Sequence, residues 1–162
     1  MAEMTSVLAI DLGLQGAMAL VRCGLDGPEV VAVHTWRTRT HKGHQDHHDV
    51  MLCWLRDLRP DVVATEEPIS IPGRRYVGVA QAHQAGVVRA LAEERGFRVV
   101  EVPRQDEKAA RYAWFILRES VAEVFGREEA KRWSGSEGEH VKDAMAISLA
   151  ALAREREGAA RT

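Results

Sequence analysis

The residues most able to do chemistry in this chain fall at three places. Asp11 closes the apolar run VLAI. Glu66 and Glu67 close the valine-rich run DVVAT, and His140 and Asp143 open the stretch EHVKDAMAISLA. His140 and Asp143 are one helical turn apart and so share a face. A carboxylate at a buried strand end is costly unless something positive compensates it. Several converging there would repel one another and titrate upward in the absence of a cation. Hard oxygen ligands favour Mg²⁺ or Mn²⁺. Two such ions about 3.5–4 Å apart can activate a water and stabilise the leaving oxygen in phosphodiester hydrolysis. Each piece alone has a plainer reading: turn chemistry for Asp11, a solvated strand exit for the glutamates, a helix start for His140 and Asp143. Their joint placement carries the argument.

The elements that must position them can be read from pattern. Short apolar runs at 6–10, 17–21 and 30–36, with an Asp-Gly turn in LDGPE (25–29), predict an antiparallel three-stranded meander. His47, Met51, Trp54, Leu55 and Leu58 then follow helical spacing up to Pro60. A fourth strand is expected at 61–66, non-alternating as befits a strand covered on both faces. Helical stretches at about 77–95, 106–125 and 139–157, with a fifth strand at 97–102, complete the order βββ–α–β–α–β–α–α. That order predicts an α/β fold with a mixed five-stranded sheet, three antiparallel strands then parallel crossovers, flanked by helices. In such sheets ligands gather beyond the carboxyl ends of the strands, where Asp11 and Glu66 lie.

With 162 residues, 46% hydrophobic and 28% charged, the chain reads as one ordinary globular domain over 1–158 with a short tail at 159–162. No apolar stretch is long enough to span a bilayer. No basic residue precedes the first apolar run, which Asp11 interrupts, so no signal peptide is expected and a cytoplasmic setting is. The net charge of −2 argues at face value against a nucleic-acid partner. Segment 69–118, however, holds nine Lys or Arg against five Asp or Glu, a local balance of +4. Cys23 and Cys53 lack metal-ligand spacing and read as buried or inert thiols in a reducing compartment.

The pieces VLAIDLG, VVATEEP and EHVKDAMAISLA, in this order on these elements, resemble the RuvC-type Holliday junction resolvases of the RNase H-like superfamily, and the resemblance covers nearly the whole chain. It implies an RNase H-like fold and a homodimeric enzyme of bacterial or phage origin that resolves four-way DNA junctions by paired nicks, leaving 5′-phosphates. It further implies two Mg²⁺ per site, with Mn²⁺ able to substitute. Carried across position by position, Asp11, Glu66, His140 and Asp143 match the four metal-binding and catalytic positions. His140 departs from the commonly all-acidic pattern. It is either a metal ligand or a proton-transfer group near neutral pH. Glu66 is preferred to Glu67 because the family's glutamate directly follows the apolar strand; the doublet leaves both open.

Loop 69–76, ISIPGRRY, places Arg74, Arg75 and Tyr76 together, which suits phosphate neutralisation with base stacking. The resemblance implies that this loop enters the junction. Lys108 and Arg111 lie near the start of a helix expected to face the same site, and are expected either to contact DNA or, for Lys108, to pair with Asp106 or Glu107. The histidines of HKGHQDHHD (41–49) fit no defined zinc site and read as a polar loop and helix start. Gln81, His83 and Gln84 interrupt an Ala/Val-rich helix, either at a dimer interface or facing solvent. Other readings are an RNase H-like nuclease acting on flaps, forks or RNA–DNA hybrids, and a non-cleaving junction-binding protein. A nucleotide-binding fragment of the actin-like ATPases, whose first strand leads into a similar turn, is opposed by the length.

Overall fold

The computed structural model describes residues 5–37, 45–68 and 75–160, with side chains described except at 45–46 and 75–81. Strands β1 (Thr5–Asp11), β2 (Gln15–Gly24) and β3 (Gly27–Arg37) form the expected meander. Helix α1 (Gln45–Leu58) leads to β4 (Val62–Glu66), and α2 (Arg75–Glu93) leads to β5 (Arg98–Val102). The sheet order is β3-β2-β1-β4-β5, with β1 parallel to β4 and β4 parallel to β5. This is the mixed five-stranded sheet that the element order predicts. Among the described residues no helix is long and apolar enough to cross a membrane.

The helices after β5 differ from expectation. The single helix read at 106–125 is two, α3 (Arg104–Ala109) and α4 (Ala113–Phe125), joined by a tight turn in which Ala113 N–H donates to the Ala110 carbonyl at 2.8 Å. Ala110 and Ala113 are both buried, so the break serves core packing and leaves no Gly or Pro as a mark. A further helix, α5 (Arg127–Ser134), follows Gly126, whose φ of 92° ends α4. Helix α5 buries Trp133 alone, too little for an apolar period to show. Its acidic first turn and basic last turn suit the helix dipole. A 3₁₀ turn (Ser136–Gly138) then leads into α6 (Glu139–Ala160).

Two cores sandwich the sheet, and strand parity decides which residue faces which. Val7 and Ala9 of β1 and Val62 and Ala64 of β4 pack towards α4 and α6. Leu8, Ile10 and Val63 pack towards α1 and α2. Successive strand residues point to opposite faces, so Asp11 and Glu66 continue the α6-facing rows. Small side chains on that face, Ala9, Ala17, Ala19 and Ala64, meet Ala144, Ala150 and Ala151. They let α6 lie close over the strands and bring its first turn to their carboxyl ends.

Candidate metal centre

Ile10 pairs with Thr65 in the β1–β4 ladder, so Asp11 and Glu66 are level at the end of two adjacent strands. The turn after Asp11 is held by Trp36, whose indole N–H donates to the Gly13 carbonyl at 2.9 Å. Across from them, the first two turns of α6 supply His140 and Asp143. Ligand atoms of Asp11, His140 and Asp143 lie within 4.8 Å of one another. His140 Nδ1 is 2.6 Å from Asp11 Oδ2. Three of the four positions expected from sequence are thus brought together. The fourth, Glu66, ends β4 beside them, 3.7 Å from Arg104 Nε.

Parity separates the glutamates. Glu66 is on the α6 face, whereas exposed Glu67 lies past the strand and uses its backbone N–H to pair with the Val102 carbonyl at 2.9 Å.

The electrostatics are those of an acidic cluster short of positive charge. Burial pushes the Asp11 carboxyl up to about 6, against the pull of its bond to His140. That same bond raises His140 above its usual value. Glu66 and Asp143 are raised by burial, with Arg104 opposing at Glu66 and Arg111 at Asp143. A hydrogen bond joins Asp11 and His140 within this acidic group. Oxygen donors from two strand ends and a helix, with one imidazole, suit Mg²⁺ or Mn²⁺.

Sequence reasoning missed Glu107 as a site residue. It is 4% exposed, and Asp143 and Glu66 add to burial in raising its carboxyl. Its only sequence signal is a helical stripe, Arg104–Glu107–Arg111, which shows once α3 is known to face the strand ends. Arg111 Nε is 3.9 Å from Glu107 Oε1, so Arg111 stands at the acids. Lys108 is exposed on α3. The pairing considered for it is not made, since Asp106 pairs with Arg154 at 2.9 Å and Glu107 with Arg111.

Of the loop residues, Arg74 lies outside the described residues, and Arg75 and Tyr76 begin α2 with side chains outside them. His41 and His44 also lie outside. His47 stacks on Trp36 with ring centroids 4.5 Å apart and approaches His34, so the helix start reads as packing. Gln84 is buried and His83 exposed, while the Gln81 side chain lies outside the described residues. Cys23 is buried, with Arg156 Nη2 2.6 Å from its sulfur, and Cys53 is exposed.

The strand order and the acids at the ends of β1 and β4 define an RNase H-like fold. More particularly, it is the fold of the RuvC-type Holliday junction resolvases. The chain is similar to Thermus thermophilus RuvC in complex with a Holliday junction substrate, with a TM-score of 0.69 and 23% identity over 95% of this chain and 96% of that one. It is also similar to the fowlpox virus resolvase in complex with Holliday junction DNA (TM-score 0.56, 10% identity, 93% and 98% covered). A third likeness is to the yeast mitochondrial Holliday junction resolvase Ydc2 (0.55, 17%, 90% and 75%). No protein-family profile matches the chain, and no curated protein matches its sequence.

Proposed function

We propose that this protein is a metal-dependent endonuclease that resolves four-way DNA junctions. The observation that carries the reading is the meeting of Asp11, His140 and Asp143 within 4.8 Å, beside Glu66, at the end of the two central parallel strands. Coverage of nearly the whole chain by resolvases whose structures hold junction DNA supports the substrate.

Asp11, Glu66, His140 and Asp143 would hold two divalent ions, Mg²⁺ with Mn²⁺ as substitute. Those ions, when bound, supply water activation and charge neutralisation at the leaving oxygen. Asp11 is held by its strand and by His140, so its carboxylate is placed before substrate arrives. His140 Nδ1 is hydrogen-bonded to Asp11, and its side chain is 39% exposed, within reach of solvent for proton exchange. Arg111 and Arg104 place positive charge beside the acids, where a phosphodiester must enter. Attack by water on phosphorus breaks the bond to the 3′ oxygen and leaves a 3′-hydroxyl and a 5′-phosphate. Arg74, Arg75 and Tyr76, with Lys108 on α3, are the proposed DNA contacts. A homodimer suits the substrate, because a two-fold axis presents two equal sites to two equal strands.

The test is cleavage of a labelled synthetic four-way junction beside a linear duplex of one arm's sequence. Junction-selective cutting is expected with Mg²⁺ or Mn²⁺, and none with EDTA. Equal cutting of the linear duplex, or cutting in EDTA, would overturn the reading.

A further inference from the structure

The stripe Arg104–Glu107–Arg111 sets a carboxylate among carboxylates, between two arginines. Helix α3 is pinned to α6 by the Asp106–Arg154 pair at 2.9 Å, so the direction of this stripe is fixed by the fold. Arg104 reaches Glu66 at 3.7 Å, and Glu107, one turn on, is turned inward with a side chain only 5% exposed. An i,i+4 Glu–Arg pair that served only the helix surface would leave both groups in water. Here the acid is inside and its arginine is 64% exposed, at 3.9 Å, beyond hydrogen-bonding reach. Arg111 and Arg104 oppose the desolvation of Glu107 without a hydrogen bond from Arg111, while Asp143 and Glu66, acids of the same sign, add to its cost.

Resting on the proposed metal-dependent reading, we infer that Glu107 is a positioning residue of the cation site, a fourth carboxylate supplied by α3. It supports a divalent ion on the side of Glu66 and Asp143 by accepting hydrogen bonds from the ion's water ligands. Groups of this kind commonly change metal affinity by about 10–100-fold when removed. Arg104 and Arg111 then have a second part: they neutralise Glu66, Glu107 and Asp143 until an ion arrives, and are freed towards phosphate when it does.

The experiment is Mn²⁺ binding to the full chain, with no DNA, followed by the free-ion electron paramagnetic resonance signal. Glu107→Gln is expected to weaken Mn²⁺ binding by about tenfold, with its melting temperature in EDTA unchanged or higher because a buried charge is gone. Glu107→Asp, which keeps the charge but shortens the reach, is expected to fall between the two and carries the test should the amide fail to fold. Wild-type affinity in both variants would overturn the role of Glu107 while leaving the metal-dependent reading standing. Absence of Mn²⁺ binding by the wild type would overturn both.

Discussion

Asp11→Asn is expected to lower junction cleavage about a thousandfold while leaving junction binding in place. Divalent-ion chemistry contributes several kcal/mol of transition-state stabilisation, and each 1.4 kcal/mol or so is a factor of ten in rate. The amide keeps the shape of the side chain and still accepts from His140 Nδ1–H, so the strand end and first turn of α6 should stay in place. It loses the charge that an ion requires. The same substitution has a signature in stability that cleavage alone would not reveal. Without an ion, Asp11 is raised from 3.8 to about 6 by burial, so the folded state holds its proton more tightly than the unfolded chain does. Its contribution is therefore lost as pH rises through about 6. His140 is also raised, by its bond to Asp11, so its contribution is full below 6.5 and is lost as pH climbs through the higher folded value. Both make the ion-free protein less stable towards neutral pH. A divalent ion must displace this proton to bind, so binding tightens as pH rises. Thermal melts should show a Mn²⁺-induced gain at about pH 7.5 that shrinks at about pH 5.5, and no gain at either pH in the amide variant. An equal gain in Asp11→Asn would remove Asp11 from the ion.

Gly138→Ala is expected to damage the site from a distance. Gly138 is buried where the 3₁₀ turn enters α6, and a Cβ there would lie 1.8 Å from the Trp133 carbonyl oxygen and 2.4 Å from Trp133 Cα. The obstacle is backbone, so no rotamer change relieves it. Trp133 is itself fixed against Phe125, with ring centroids 5.3 Å apart. Lys142 ties the same joint by donating to the carbonyls of Ser134 and Gly135. The start of α6 must therefore shift, and with it His140 and Asp143. Urea denaturation should show a loss of about 3 kcal/mol, and cleavage by the fraction still folded should fall about a hundredfold, the cost of an ångström-scale misplacement. Gly158→Ala on the same helix, where a Cβ meets nothing within 4 Å, is the matched control and should leave cleavage unchanged with stability the same or up to about 1 kcal/mol higher.

Much of this site was legible in the sequence because strand parity and strand ends are legible. Val7, Ala9 and Asp11 form one row, Val62, Ala64 and Glu66 another, and a meander followed by a crossover makes β1 and β4 neighbours. His140 and Asp143 needed only helical spacing. What sequence could not supply depended on packing between elements distant in the chain. The turn at 110–112 begins on buried Ala110 and runs into buried Ala113, and nothing in their type announces a break. Glu107 looks like one more charge in RQDEKAAR until α3 is laid against α6, which turns this acid inward and leaves Lys108 outside. The choice between Glu66 and Glu67 likewise became a choice only once the faces of β4 were assigned. Net charge misled for a related reason: the acids of the candidate metal centre and the basic residues of α2 and α3 were averaged into one number.

The proposed reaction is the cutting of a four-way junction by two equal, ion-dependent sites. Its most direct test is a supercoiled plasmid bearing an inverted repeat that extrudes a cruciform, incubated with the protein and Mg²⁺. Linear product cut at the base of the cruciform, with 5′-phosphate ends and none formed in EDTA, is predicted. Scattered nicks with no preference for the cruciform, or an intact plasmid that is nonetheless bound, would contradict it.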